Sequence, residues 1–227
     1  MIRLVVGLGN PGKEYERTRH NAGFWLVERF SQTSGFTLRK DPKFKALVGK
    51  NAGGAWFLLP QSFMNLSGQP VQMLAGFFKF KPEEILVVHD ELDFAPGVAR
   101  VKQGGGIAGH NGLKDISQRL GSHDYWRLRI GVGKPPAGAE GADYVLNKPT
   151  SDEKTAIDQA IDRALQVLPE MLTGDMQAAI QKLHSGEPKP AEKKEPPKKE
   201  VPIKEPEKKE PEPQKSGGLL KSIFGKK

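Results

Sequence analysis

An abrupt change in composition after His184 limits the part of this chain that can form a packed domain. Residues 185–215 consist almost entirely of Pro, Lys and Glu, and 8 of the 18 prolines lie from Ser185 onward. A segment of this composition cannot bury enough apolar surface to offset the entropy lost on ordering. We therefore expect one folded domain at residues 1–184, followed by a disordered linker at residues 185–215.

The last residues of the chain, 216–227, differ from the linker because they are again partly apolar. Leu219, Leu220, Ile223 and Phe224 share one face if this basic segment forms a short helix. Two interpretations stay open. One is a frayed terminus, since so short a helix is marginal in water. The other is a tethered motif for weak contact with a partner or a membrane surface.

The net charge of +8 favours an anionic partner, but the two parts of the chain share the excess. From Ser185 onward the tail has 12 Lys and 8 Glu, which gives it a charge of +4 and leaves +4 for residues 1–184. The domain is therefore only mildly basic. Binding of nucleic acid would require a localised basic patch.

Cysteine is absent, which excludes disulfides, a thiol nucleophile and thiolate metal ligands. The apolar run Ile2–Val6 is too short for the core of a signal peptide, and no stretch approaches the length of a membrane span. These features together favour a cytoplasmic protein.

Short apolar runs alternate with amphipathic segments over residues 1–184. The predicted strands lie at 2–8, 45–50, 55–59, 85–88, 98–103 and 125–132. The predicted helices lie at 22–33, 66–79 and 110–120, and Ser151 is the expected N-cap of a further helix. Strands interleaved with helices predict a single three-layer α/β domain with a twisted, largely parallel sheet. Residues 51–54 indicate a hairpin, which makes the sheet mixed.

The segment Gly7–Gly12 matches G-x-G-x-x-G after a strand, the pattern of a dinucleotide-binding turn. Its context is wrong for that function. The helix should begin inside the glycine run, but Asn10-Pro11-Gly12 is typical of a turn and Lys13–Arg19 has no apolar period. The glycines are better explained by a sharp turn that presents Asn10.

Polar side chains cluster where predicted strands or turns end, which is where α/β sheets carry their sites. They are Asn10, the segments 19–21 and 89–93, and Asn65. The run Gly104–Gly112 is so rich in glycine that a ligand or another backbone segment is expected to approach it closely.

Elimination narrows the chemistry of this cluster. No serine stands in a G-x-S-x-G elbow, and His89 and Asp93 lack the further ligands of a metal site. What remains is a neutral imidazole acting as general base on water, with a carboxylate to orient it. Asparagine side chains can stabilise an oxyanion without carrying charge. The pattern therefore predicts hydrolysis of an activated acyl bond, with His20 as the base.

Each of these residues also has a purely structural interpretation. His20 would then contact only backbone, Asn10 would be a turn residue and Asn65 the N-cap of the helix at 66–79. Asp90 would accept a neighbouring backbone N–H group, and residues 104–106 would form a flexible loop.

Five segments resemble the motifs of bacterial-type peptidyl-tRNA hydrolases, in the order and approximate spacing of that family. They are VGLGNPG followed by Tyr15 and TRHNAG within 6–23, FMNLSG at 63–68, HDELD at 89–93, GGGIAGHNGLK at 104–114 and RLRIGVG at 127–133. The resemblance covers residues 1–184, and the tail at 185–227 matches nothing in the family pattern.

The resemblance implies hydrolysis of the ester between an N-blocked peptidyl group and the 3′ end of tRNA, without metal or cofactor, by a monomer. It implies that His20 is the catalytic base, that Asp90 keeps it basic, and that Asn10 helps to distinguish blocked from free aminoacyl groups. The implied substrate contacts are Tyr15, Phe63, Met64, Asn65 and Asn111, and the implied contacts to tRNA phosphates are Lys102 and Arg129. Two alternatives are an RNA-binding protein without catalysis and a metal-free esterase for small acyl substrates.

Overall fold

Residues 1–186 are described by a computed structural model of the chain. The predicted terminal segment at 216–227 and all but the first two residues of the predicted linker lie outside the described residues. The strands are β1 (Leu4–Gly7), β2 (Arg39–Asp41), β3 (Ala46–Lys50), β4 (Trp56–Pro60), β5 (Ile85–Glu91), β6 (Ala99–Gln103) and β7 (Trp126–Gly131). The helices are α1 (Ala22–Thr33), α2 (Gly68–Phe78), α3 (Asn111–Leu120), α4 (Gly141–Val145), α5 (Ser151–Thr173) and α6 (Met176–Ser185).

The described strands form one mixed sheet in the order β2-β3-β4-β1-β5-β7-β6. Its four central strands, β4, β1, β5 and β7, are parallel, and Val6 on β1 lies between Leu58 on β4 and Val87 on β5. The antiparallel pairs lie toward the edges: β2, β3 and β4 follow one another through short turns, and β6 pairs with β7 although α3 lies between them in the chain. The mixed α/β sheet predicted from the sequence is confirmed.

Helices cover both faces of the sheet, which gives the predicted three layers. On one face α1, α5 and α6 bury a cluster that includes Leu26, Ile161 and Leu183. On the other face α2 and α3 bury a second cluster that includes Leu74 and Ile116. Among the described residues, no helix is both long and apolar enough to cross a membrane.

Most predicted elements are confirmed, and the N-cap predicted for α5 is wrong for a clear reason. Helix α1 has the predicted bounds, and the hairpin joins β3 to β4. The N-cap of α5 is Thr150 and not Ser151, because the Thr150 hydroxyl accepts from the backbone N–H of Glu153 and the Glu153 carboxylate accepts from that of Thr150. This reciprocal capping box fixes where the helix begins.

The glycines after β1 serve close packing. A Cβ atom at Gly9 would lie 2.6 Å from the Phe24 ring, and one at Gly23 would lie 2.3 Å from the carbonyl oxygen of Val88. Helix α1 therefore sits directly against β1 and β5, and it begins at Ala22, well after the glycine run. This geometry agrees with the rejection of a dinucleotide-binding turn, and it holds the end of β1 next to that of β5.

Candidate active site

An open cavity of about 630 Å³ lies at the carboxyl ends of β1 and β5. This is the edge where parallel α/β sheets carry their sites. Eight of the sequence-predicted residues line it: Asn10, Tyr15, His20, Phe63, Met64, Asn65, Asp90 and Asn111. The structure thus brings together side chains that are up to 101 positions apart in the sequence, from Asn10 to Asn111.

His20 and Asp90 form a hydrogen-bonded pair at the base of the cavity. The distance from His20 Nδ1 to Asp90 Oδ1 is 2.9 Å, and the two side chains are 12% and 2% exposed. Burial lowers the pKa of His20, but the charge and the hydrogen bond of Asp90 outweigh burial, so the pKa lies above its ordinary 6.5. The pair leaves Nε2 of His20 available to a ligand in the cavity.

His110 also contacts Asp90, a contact that the sequence prediction did not include. Its Nε2 lies 3.1 Å from the same Oδ1 atom that His20 binds. Burial raises the pKa of Asp90, but the two histidines together hold this pKa well below its usual value. The signal was present in the sequence, because His110 directly precedes Asn111 in a segment already singled out.

His89, the neighbour of Asp90 on β5, is fully enclosed and plays a different part. Its Nδ1–H group donates to the carbonyl oxygen of Asp90 at 2.7 Å, and its ring stands edge-on to that of His110 at 5.0 Å. Burial, followed by the proximity of His110, lowers the pKa of His89 to about 3. His89 is therefore neutral at physiological pH and packs behind the pair.

His20, Asp90 and His110 form the one cluster among residues 1–186 that has the spacing of metal ligands. Nitrogen atoms of His20 and His110 and an oxygen of Asp90 lie within 4.8 Å of one another. Two N–H···O hydrogen bonds to Asp90 account for this spacing. A metal ion would have to displace both protons.

Asn10 is held on three sides before any ligand binds. The Asn21 side chain accepts from the backbone N–H of Asn10 at 2.9 Å and donates to its carbonyl oxygen at 3.0 Å. The Oδ1 atom of Asn10 accepts from the backbone N–H of Met64 at 2.7 Å. Because Oδ1 is occupied, Nδ2 is the donor left for a ligand. Asn21 stands at the N-cap position of α1, but its side chain makes no capping hydrogen bond there and binds Asn10 instead.

Aromatic side chains and further amides form the mouth of the cavity. Phe63 is 59% exposed, and its ring meets that of Tyr15 edge to face at 6.2 Å. Asn65 lies in a short 3-10 turn before α2, and Asn111 is the first residue of α3. The alternative of Asn65 as N-cap of α2 is wrong, because that cap is Ser67.

Lys102 and Arg129 do not line the cavity but lie beside it on β6 and β7. Arg100 is paired with Arg129 and Lys102 with Arg127 across these strands, so the four cations share one face of the sheet. Arg127 is only 2% exposed and donates to the carbonyl oxygen of Gly106 at 2.6 Å. The sequence prediction missed Arg127, although its i, i+2 spacing from Arg129 puts both on one strand face.

The loop that contains the glycine run joins β6 to α3. It lies between the cavity and the face of β6 and β7 that carries the four cations, which we call the basic face. Gly104 and Gly105 have φ angles of 61° and 84°, a left-handed backbone that favours glycine. A Cβ atom at Gly105 would lie 2.7 Å from Lys102 Nζ. The positive φ angles account for glycine at these two positions. Gly105 approaches only side-chain ends, and a Cβ atom at Gly106 or Gly109 would meet open space, so the close approach of a ligand or another backbone segment stays a prediction.

Arg19 anchors the turn that carries His20; the sequence analysis included it in the polar segment 19–21 but assigned it no role. Its guanidinium donates to the carbonyl oxygens of Tyr144, Asn147 and Lys148 at 3.0–3.3 Å and to the carboxylate of Glu153 at 2.7 Å. These partners lie more than 120 positions away in the chain. Arg19 therefore ties the His20 turn to α4, which forms part of the cavity wall.

Fold and cavity together define the class of the protein, a mixed-sheet α/β enzyme of the hydrolase type. The family model described as peptidyl-tRNA hydrolase matches residues 4–194. A peptidyl-tRNA hydrolase of Thiobacillus denitrificans is 54% identical over 192 residues, covering 85% of this chain and 93% of that protein. One of Leptothrix cholodnii is 51% identical over 193 residues, with 84% and 91% covered.

A solved structure gives the same result. The crystal structure of peptidyl-tRNA hydrolase from Acinetobacter baumannii is similar with a TM-score of 0.79 at 45% sequence identity. The similarity covers 83% of this chain and 97% of that one. The chain belongs to the peptidyl-tRNA hydrolase family, which confirms the resemblance found in the sequence motifs.

Proposed function

We propose that the chain hydrolyses the ester between a peptidyl group and the 3′-terminal ribose of tRNA, with His20 as the general base. The observation that carries this mechanism is the 2.9 Å hydrogen bond from His20 Nδ1 to the buried Asp90 carboxylate at the base of the cavity. The reaction returns tRNA to translation from prematurely released peptidyl-tRNA.

Asp90 fixes the tautomer of His20 that the reaction needs. A carboxylate at Nδ1 keeps the proton on that nitrogen and leaves the lone pair on Nε2. Nε2 takes a proton from a water molecule as its oxygen attacks the ester carbonyl carbon. The imidazolium that forms is stabilised by Asp90 and then returns the proton to the departing ribose 3′ oxygen. The ribose oxygen of an ester is a better leaving group than the nitrogen of an amide, so water activated by an imidazole base is sufficient.

Neutral amides suit both the oxyanion and the peptide. Asn10 offers Nδ2 in a fixed orientation, and Asn65 and Asn111 add further amide groups around the same cavity. These groups bind peptide main chain without selecting side chains, which matches a substrate of arbitrary sequence. Tyr15 and Phe63 supply apolar surface at the mouth for the acceptor end of tRNA.

Preference for a blocked amino group follows from the charges around the cavity. Among the described residues, each carboxylate that lines it has a cationic or imidazole partner. Asp90 binds two histidines, Glu91 lies 4.0 Å from Arg129, and Asp93 lies 3.0 Å from Lys134. A free α-ammonium group would have to compete with these partners for the carboxylates, whereas an acylated nitrogen needs no anionic partner.

The cations on β6 and β7 fit the phosphates of tRNA. Lys102 and Arg129 make sequence-independent contacts in this proposal, and the buried Arg127 adds positive charge next to Lys102 on the neighbouring strand. The proposed reaction needs neither metal nor cofactor. Its substrate favours the cytoplasm, and a single chain supplies all the proposed groups, which favours a monomer.

One assay tests this function against its alternatives. The full chain is incubated with N-acetyl-aminoacyl-tRNA and with the unblocked aminoacyl-tRNA, with and without EDTA. We expect release of free tRNA from the first substrate alone, at the same rate in EDTA. Binding without turnover would instead support an RNA-binding protein, and cleavage of small acyl esters at a comparable rate would support a general esterase. Loss of activity in EDTA that added metal restores would contradict the metal-free mechanism.

A further inference from the structure

One oxygen atom of Asp90 accepts two imidazole donors. Oδ1 lies 2.9 Å from His20 Nδ1 and 3.1 Å from His110 Nε2, and the two rings are 5.0 Å apart. The Asp90 carboxylate is 2% exposed, so water contributes little to its solvation. The strength of its hydrogen bond to His20 therefore depends on the hydrogen bond that His110 donates to the same oxygen.

The backbone of α3 determines which nitrogen of His110 carries the proton. His110 is the N-cap of this helix, and its Nδ1 accepts from the backbone N–H groups of Gly112 at 3.2 Å and Leu113 at 3.4 Å. A backbone N–H can only donate, so Nδ1 must present a lone pair and the proton of the neutral ring is on Nε2. That proton is donated to Asp90.

His110 and His20 therefore present opposite ring nitrogens to Asp90. His110 donates through Nε2 while its Nδ1 caps α3, whereas the Nδ1 of His20 faces the carboxylate and leaves its Nε2 to the cavity.

We propose that His110 is a positioning residue that caps α3 with one ring nitrogen and, with the other, holds Asp90 and limits how strongly Asp90 retains the proton of His20. The link to catalysis rests on the proposed function. Hydrogen bonds donated to a carboxylate make it a weaker acceptor for its other partner. Without His110, Asp90 stabilises the imidazolium of His20 more strongly, and the base is protonated at a higher pH.

Few charged groups face His20 besides these two. Asp90 approaches from β5 and His110 from the loop before α3. Glu91, Asp93 and Lys134 line the cavity too, but Glu91 faces Arg129, and Asp93 is paired with Lys134. The neutral His89 packs on the far side of His110. A change in the pKa of His20 on substitution of His110 therefore reports the shared carboxylate.

Two substitutions of His110 test the roles of its two ring nitrogens one at a time. In His110→Asn the side-chain oxygen replaces Nδ1 as acceptor, and Asn is among the best N-caps, but no donor reaches Asp90. In His110→Gln the amide N–H group replaces Nε2 as donor, and the capping acceptor is lost. His123→Asn, at an exposed histidine in the turn after α3, is the matched control.

The primary measurement is made by NMR on the full chain without substrate, so its outcome is independent of whether peptidyl-tRNA is cleaved. Nitrogen shifts of the wild-type rings should show that the Nε2–H tautomer is the form of neutral His110. Titration should give a His20 pKa about 0.5–1 unit higher in His110→Asn than in the wild type. His110→Gln and His123→Asn should leave that pKa close to the wild-type value.

The corresponding enzyme assay should show the acid limb of kcat/KM moving by the same amount in His110→Asn alone, with KM little changed. His110→Gln should lower the unfolding temperature, since it removes the α3 cap. A wild-type His110 with its proton on Nδ1, an unchanged His20 pKa in His110→Asn, or equal shifts in the Asn and Gln variants would each overturn the proposal. The first of these needs no variant to fold.

Discussion

The cluster at the end of β5 and the basic face of β6 and β7 differ in how strictly their side chains must be positioned. At the end of β5, the buried Asp90 is joined by directed hydrogen bonds to His20 and His110, whose side chains are 12% and 9% exposed. On the face that β6 and β7 share, Lys102 and Arg129 lie among like charges. The first arrangement requires each atom to stay in place, whereas the second requires only positive charge.

With these two regions, one small domain can act on a substrate whose ester is always the same and whose peptide and tRNA vary. Chemistry at an ester needs a defined tautomer and geometry. Binding to a phosphate backbone needs charge that tolerates different positions and is weakened by salt. Substitutions in the buried region should therefore change kcat, and those on the basic face should change KM. The predictions below test that division.

The largest effect should come from His20→Ala. Loss of the general base should lower kcat by about 10³-fold, since proton transfer by a positioned side chain contributes 10²- to 10⁴-fold. KM should change little, because the phosphate contacts remain. Release of tRNA from N-acetyl-aminoacyl-tRNA at saturating substrate measures the effect, with His123→Ala as control. A His20→Ala enzyme within tenfold of wild type would remove His20 from the chemistry.

Asp90→Asn should have the next largest effect, a loss of about 10²-fold in kcat. The neutral amide no longer stabilises the imidazolium of His20, and its N–H group faces an imidazole N–H of either His20 or His110. The pKa of His20 should fall, because the charge and hydrogen bond that now raise it are gone. A single NMR titration checks this direction. A higher pKa in Asp90→Asn would contradict the assigned pairing.

Wild-type activity should fall about tenfold for each pH unit below the pKa of His20. The base works only when neutral, and its pKa lies above 6.5, so activity is lost as the pH falls through a value above 6.5. The profile of kcat/KM from pH 5 to 9 measures this limb. A limb at or below pH 6 would show that burial outweighs Asp90 at this site.

Much of the fold could be predicted because the evidence for it is local. The amphipathic pattern of residues 22–33 and the turn at 51–54 each depend on adjacent residues, and both are confirmed. Strand β5 was predicted to end at Val88, yet it continues to Glu91. The polar residues at its end are buried by pairing with β7, and no local pattern reveals that pairing. Strand β2 and helix α4 are too short to show a period, whereas α6 was missed although its buried residues Met176, Ala179 and Leu183 recur at helical spacing.

The residues of the candidate site likewise fall into those that the sequence indicates and those whose roles appear only in the folded structure. His20, Asp90 and Asn10 stand at turns or strand ends, where their chemistry is visible in the sequence. The parts played by Arg19, Asn21 and His110 depend on partners that only folding brings close. Arg19 binds carbonyl groups more than 120 positions away, and His110 meets a carboxylate on another element. A sequence can therefore indicate a reacting group more readily than the groups that hold it.

The smallest effect should come from single substitutions on the basic face, Lys102→Gln and Arg129→Gln. Each should raise KM by about 3- to 10-fold near physiological salt, with kcat unchanged, because a phosphate contact is lost while the His20–Asp90 pair is intact. The diagnostic result is the salt dependence, whose slope in a plot of log(kcat/KM) against log[salt] should decrease in magnitude by about 1 per cation removed. Lys81→Gln, at an exposed lysine near the amino end of β5, is the matched control and should keep the wild-type slope. A fall in kcat with no change in slope would mean that these cations act on the chemistry, and the two regions would then be one site.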